Sequence, residues 1–426
     1  WDEIASTFSR EAVLKGSFDK YADDNKLKRG TAEVDDAFLE EIETWRKTLA
    51  SNMALRNPSL TVRELNTAVQ RTIDRIIFLR IAEDRGIESY GQLQNISSKK
   101  NAYATLVELF QRADERYNSG LFHFRKGDGS SETLDTFTLN LTIDDKILKS
   151  ILGGLYYPDS PYEFSVLPAD ILGQVYERFL GKVIRLTNNR AVIEEKPEVK
   201  KAGGVYYTPT YVVRYIVKGT ISPMLEGRTP SQVSGVDKRM RDMRPLRVID
   251  PACGSGSFLI EAYDFLLDWY RDQYIKDGPE KHSRGKSPLL LQAGKGDWRL
   301  TIAERRRILL THIYGVDVDP QAVEVTKLSL LLKVLEGETA DNVARQMDLF
   351  NVRALPDLGA NIKCGNTLVS SDFYSQHEMG IFSEDELFRI NAFDWPEEFS
   401  FFDSEGGFDV VIGNPPYGAT LVAEEK

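Results

Sequence analysis

Five short stretches of this chain carry residue types that could do chemistry: Tyr207-Thr208-Pro209, Asp250-Pro251-Ala252-Cys253-Gly254-Ser255-Gly256, Gly315-Val316-Asp317-Val318-Asp319-Pro320, Cys364-Gly365-Asn366 and Gly413-Asn414-Pro415-Pro416-Tyr417. In the second, the glycines let the backbone bend sharply and let a ligand approach main-chain atoms. Asp250 stands just ahead of that bend, where a carboxylate can accept a hydrogen bond from a ligand ammonium or hydroxyl. Asp317 closes an apolar run in the same way, and Asp319 with Pro320 reads as an N-cap followed by proline at N1. Tyr207 and Thr208 could reach a ligand from their loop, although Thr208 and Pro209 also read as an N-cap and N1. Taken singly, each stretch is equally an ordinary corner between elements, since short glycine and proline motifs recur by chance.

What these stretches share is their place at the ends of apolar runs. Leu246, Val248 and Ile249 form a run fit for a buried parallel strand, and from Phe258 onward the apolar residues fall at helical spacing. Ile313 to Val318, Ile362 to Val369 and Phe408 to Ile412 give three more strand candidates, each ending in polar, turn-forming residues. An α/β class follows, with these tips along one carboxyl edge of a parallel sheet.

The first 185 residues read as a helical domain. Thr61 and Glu64 make a capping box ahead of Leu65, Val69, Ile73, Ile76 and Ile77, and Gly86 ends the helix. Residues 1–58, 102–117 and 168–184 repeat the helical period, and Arg71, Arg75 and Arg80 are expected as solvent-side ion-pair partners. Residues 186–202 are charged and proline-interrupted, as in a hinge between domains. Pro158-Asp159 and the later Glu194-Glu195-Lys196 imitate a nuclease pattern, but the helical sequence between them argues against adjacent strands. The Gly-, Pro- and Lys-rich segment 277–297 reads as a surface insertion.

Composition narrows the classes further. With 42% hydrophobic and 28% charged residues, the chain is of soluble globular type, and 426 residues suffice for two or three domains. No apolar run reaches membrane-spanning length and no signal peptide opens the chain, so no membrane partner and a cytoplasmic location are expected. Two cysteines, Cys253 and Cys364, and four scattered histidines do not suit a metal centre or a disulfide framework. A net charge of −11 leaves room for a local basic face. The stretch Arg271 to Arg307 is locally basic, and such a run is either a solvated face or a DNA contact.

The order of the five stretches resembles the amino-methylating, S-adenosylmethionine-dependent DNA methyltransferases. Within them it is most similar to the type IIG restriction–modification enzymes, whose helical connector joins a nuclease to the methyltransferase. That resemblance implies a connector over 1–185, a linker over 186–202 and a Rossmann-like methyltransferase domain over 203–426, incomplete at its C-terminal side. It also implies S-adenosylmethionine as cofactor, double-stranded DNA as partner, and adenine N6 as the methylated atom, in a restriction or antiphage system. Tyr207 and Thr208 would hold the methionine end, beside Asp250 and main-chain groups of Ala252, Cys253 and Gly254. Asp317 would accept both ribose hydroxyls, Val318 would pack on the adenine ring, and Asn366 would accept from its amino group.

By the same resemblance, Asn414 and the Pro415 carbonyl would bind the target amine, Tyr417 would stack on the swung-out base, and Pro416 would help stiffen the loop. The sequence stops nine residues after Tyr417, so a target-recognition region and a nuclease are expected in the parent protein. A protein-glutamine or RNA methyltransferase is the alternative, since both kinds carry Asn-Pro-Pro-Tyr; a non-catalytic module binding cofactor or DNA is a further one.

Overall fold

The computed structural model describes residues 34–117, 121–124, 135–160, 162–165, 173, 182–187, 190–195, 208–236, 244–285, 287–294, 296–338, 355–373, 386–387 and 390–415. Helices α1 (Val34–Arg56), α2 (Val62–Asp84), α3 (Gln92–Ser97), α4 (Ala102–Tyr117) and α5 (Asp145–Gly153) come first. The Thr61–Glu64 capping box starts α2, and Leu65, Val69, Ile73, Ile76 and Ile77 all face the core. Two arginines expected outside are buried. Arg75 donates to the Leu121 carbonyl, Thr138 and Asp135, and Arg80 to the Leu155 carbonyl and Asp84. Most of the helix around them is buried, Asp74 included, so its cations find partners inside.

The stretch read as helix end and hinge is instead a β-hairpin as far as it is described, with β1 (Lys182–Thr187) antiparallel to β2 (Arg190–Glu195). Ile184 and Leu186 alternate with Arg185 as in a strand, and exposed Arg185 and Glu194 pair with each other on the outer face of the ribbon. The hairpin packs on α1 and α2, with Asn66 bonding both the N–H and the carbonyl of Ile184.

In the second half, α6 (Thr210–Leu225) leads to β3 (Val248–Asp250), α7 (Ser257–Lys276), β4 (Leu290–Gly294), β5 (Asp297–Leu300), α8 (Ile302–His312), β6 (Ile313–Asp317), α9 (Pro320–Val334), β7 (Ile362–Cys364) and β8 (Val410–Val411). Strands β7, β6, β3 and β8 lie in that order in one parallel sheet, with Val248 level with Ile313 and Val410, and Asp317 level with Cys364. The side-chain period of two divides the strands between two cores. Val248 and Ile313 join the large core that runs from α1 through α7 and α9. Ile249, Tyr314 and Val316 face an aromatic cluster built from Phe393, Trp395, Phe399, Phe401, Phe402 and Phe408. One hydrophobic core thus continues from the helical region under the sheet, and α2 packs on α9. The segment read as a surface insertion is partly core: β4 and β5 form a hairpin that buries Leu290 and Leu300.

Candidate active site at the carboxyl edge of the sheet

The strand order reverses between β3 and β8, because β6 and β7 extend the sheet on one side of β3 and β8 on the other. At such a point a crevice opens outside the carboxyl ends of the strands, and ligands of open α/β sheets bind there. Each of the five stretches reaches this edge with at least one described residue.

Asp250 ends β3 and is 1% exposed. Burial pushes its carboxyl up to about 7; the Ala252 N–H donated to it at 3.0 Å opposes the rise, and the nearby Asp317 adds to it. The loop after β8 packs directly on this carboxyl. A Cβ on Gly413 would stand 2.5 Å from the Asp250 Oδ1, so only glycine lets the two strand tips come together.

The glycine turn is locked to its neighbours by hydrogen bonds. Cys253 N–H donates to the Val316 carbonyl at 2.9 Å, and Thr326 Oγ1 to the Gly254 carbonyl at 2.8 Å. Gly256 has φ +86, and a Cβ there would meet the Thr326 side chain at 2.9 Å. Asp317 accepts the Gly254 N–H on one oxygen and the Asp319 N–H on the other, both at 2.8 Å. Those two bonds fix the plane of the carboxylate. Val318 follows, 50% exposed, an apolar surface beside that carboxylate. Burial pushes the Cys253 thiol far above its ordinary value, so this residue offers main-chain groups rather than a nucleophile.

Asp319 caps α9 by accepting the Gln321 N–H, with Pro320 at N1. At the tip of β7, Gly365 N–H donates to the Asp317 carbonyl and Thr367 Oγ1 to the Pro251 carbonyl. The Asn366 amide oxygen accepts the Leu368 N–H at 3.1 Å, which orients it within its own turn. Asn414 is exposed at the end of β8, and its Nδ2 donates to Thr208 Oγ1 at 3.0 Å. Thr208 is therefore not the N-cap read from the sequence. Pro209, which has no side-chain acceptor, takes that position, and the threonine hydroxyl bonds Asn414 instead. Pro415 is exposed beside it. Tyr207, Pro416 and Tyr417 lie outside the described residues. Sequence reading missed Thr326 and Thr367, and it gave Gly413 no role beyond a turn. Thr326, a buried hydroxyl among the leucines and valines of α9, is the one whose pattern could have flagged it.

Among the described residues no group of three or more His, Cys, Asp or Glu could hold a metal ion, and no helix is long and apolar enough to cross a membrane. Residues 311–426 match the Eco57I restriction-modification methylase family, and residues 239–352 match the RMKL-like methyltransferase domain. The chain is 34% identical over 420 residues to the type II restriction enzyme and methyltransferase RM.Eco57I of Escherichia coli, covering 99% of this chain and 37% of that one. The chain is a homologue of RM.Eco57I. The putative type II restriction enzyme and methyltransferase RM.MjaORFECS2P of Methanocaldococcus jannaschii is 26% identical, covering 86% of this chain and 32% of its own length. The adenine-specific methyltransferase BrxX of Escherichia coli O9:H4 is 22% identical, covering 59% of this chain and 20% of its own length. This RM.Eco57I homologue therefore spans about a third of the length of the two relatives that match most of it. Overlay on the cryoEM structure of a DrdV–DNA complex gives a TM-score of 0.36 at 15% identity, covering 91% of this chain and 27% of that one.

Proposed function

We propose that this chain holds the cofactor site and the catalytic loop of a DNA adenine-N6 methyltransferase from a restriction–modification or antiphage system. In this reading residues 1–185 are a helical connector, with the 182–195 hairpin docked on it, and 203–426 are the first part of the methyltransferase domain. The observation that carries it is the convergence of Asp250, the glycine turn, Asp317 and Asn414 at the one point where the strand order reverses.

The residues present fit S-adenosylmethionine. Asp317 has two oxygens oriented by main-chain donors, matching the two vicinal hydroxyls of a ribose. Val318 adds an apolar surface for the adenine ring, and buried Asp250 suits an ammonium. When bound, the cofactor supplies a methyl group on a positively charged sulfur. Asn414 and Pro415 do the rest. The lone pair of a nucleobase amine is delocalised into its ring, and two acceptors on its N–H groups aim that pair at the methyl. With its Nδ2 on Thr208, Asn414 turns its amide oxygen away from that hydroxyl, ready to accept. Tyr417 would stack on the extruded base.

Expression of the full-length gene in a methylation-free host should add N6-methyladenine to host DNA, detected by mass spectrometry. Asn414→Ala should lower that signal by at least about a hundredfold, the usual effect of losing one preorganised polar contact to a reacting group. Cofactor affinity should stay within a few-fold. Near wild-type DNA methylation by this variant, or methylation confined to protein or RNA, would overturn the reading.

A further inference from the structure

We infer that the outward stripe of α6, made by Tyr211, Arg214, Tyr215 and Lys218, holds the DNA strand beside the target base. This deepens the DNA methyltransferase reading and rests on it. The four residues fall at positions i, i+3, i+4 and i+7 of the helix and so share one face. The opposite face, Val213, Val217, Ile221 and Leu225, is buried, with α6 lying on α7.

Tyr215 is 81% exposed and Tyr211 75%, whereas tyrosine rings usually bury much of their area. Two such rings alternating with two cations form the pattern of a surface for nucleic acid, where rings take bases and cations take phosphates. Arg214 has a 68% exposed side chain and pairs through Nε with Glu261, which is 18% exposed. Lys218 is exposed one turn further on.

Position makes the stripe continuous with the site. Helix α6 starts two residues after Thr208, the partner of Asn414. At ~1.5 Å per residue the stripe from Tyr211 to Lys218 is about 10 Å long, roughly three nucleotide steps of one strand. A base turned out of the duplex leaves its flanking sugar–phosphates distorted and in need of support. The basic run from Arg271 to Arg307 lacks the rings: among its described residues no aromatic side chain is exposed, and several of its cations pair with carboxylates close by in sequence. Arg271 pairs with Asp268 and Asp272, Lys281 with Asp277, Arg299 with Asp297 and Arg307 with Glu304.

The test is fluorescence anisotropy of a labelled random-sequence duplex with the chain at a series of salt concentrations. Replacing Arg214 and Lys218 together by Gln should lower the slope of log affinity against log salt by about 1.8, at ~0.9 per phosphate contact. Replacing Tyr211 and Tyr215 by Ala should weaken binding by at least about fivefold per ring and leave the slope alone. An Arg271→Gln, Lys281→Gln control should change neither quantity. Retained S-adenosylmethionine affinity by calorimetry shows that each variant is folded. Wild-type slope and affinity in both stripe variants overturns the proposal, as does a wild-type chain that does not bind the duplex. Loss of thermal stability with DNA binding intact also overturns it, and assigns the stripe to another part of the protein. If the stripe variants lose DNA binding while Asn414→Ala methylates normally, the stripe stands and the catalytic reading falls.

Discussion

In the helical region Arg75, 1% exposed, meets Asp135 at 2.6 Å and lies against the rings of Phe110 and Phe124. At the edge of the sheet Asp250 is equally buried, but among the described residues it bonds a main-chain N–H and shares its surroundings with a second carboxylate, Asp317. Burial of charge is costly unless a partner compensates. The helical region compensates internally and gains a rigid core. Among the described residues no cation pairs with Asp250 at the sheet edge, as the proposed reading requires of a site for a cationic ligand.

The largest effect should come from breaking the compensated side. Arg75→Ala leaves the buried Asp135 carboxylate with Arg71 at 3.2 Å and Thr138 but without its buried cation, and should cost about 3 kcal/mol of stability in urea unfolding, the lower end for buried pairs that lose one partner. An effect below 1 kcal/mol, on the scale of an exposed pair, would erase the contrast.

On the other side, Asp317→Ala should weaken S-adenosylmethionine binding by about 1.5–3 kcal/mol, the value of hydrogen bonds to a charged group. Calorimetric affinity unchanged from wild type would move the cofactor away from the β6 tip. The same variant also frees the Gly254 and Asp319 N–H groups, so Asp317→Asn, which keeps one acceptor oxygen, should lose less.

Asp250 makes the contrast depend on pH. Its carboxyl keeps a proton up to about 7, whereas an unfolded chain releases it near 3.8. The folded state therefore binds the extra proton between those values, and without ligand the stability falls as pH rises through that window. A ligand ammonium favours the charged carboxylate, so cofactor affinity should rise over the upper part of the same window, by up to about tenfold per pH unit. Asp250→Asn should flatten both curves. A wild-type affinity that ignores pH between 5 and 8 would mean that the ammonium lies elsewhere.

The smallest effect tests the support of the catalytic loop. Thr208→Val removes the acceptor for Asn414 Nδ2 and should reduce kcat by about two- to tenfold, the value of one neutral hydrogen bond. KM for DNA should hold, and Thr208→Ser should restore the rate. Equal loss in the serine and valine variants would show that the hydroxyl does not position Asn414.

Local sequence determined the elements whose signals lie within a few residues of each other. The Thr61 capping box, the Asp319-Pro320 start of α9 and the glycine turn after β3 all stand where their residue types place them, because caps and tight turns are set by short-range hydrogen bonds and backbone freedom. The parallel sheet was legible in part, from apolar runs ending in polar tips. Its order was not, since pairing joins residues as far apart as Val248 and Val410. Only the tertiary structure decided that Arg75 and Arg80 are inside, that 182–195 is a docked hairpin, and that Thr208 serves Asn414 rather than capping α6. In each case a residue's partner lies many positions away: Asp135 for Arg75, Asn66 for Ile184, and Asn414 for Thr208. A side chain that can bond either its own turn or a distant group is assigned by whichever the fold brings within reach, and a local pattern contains only the first.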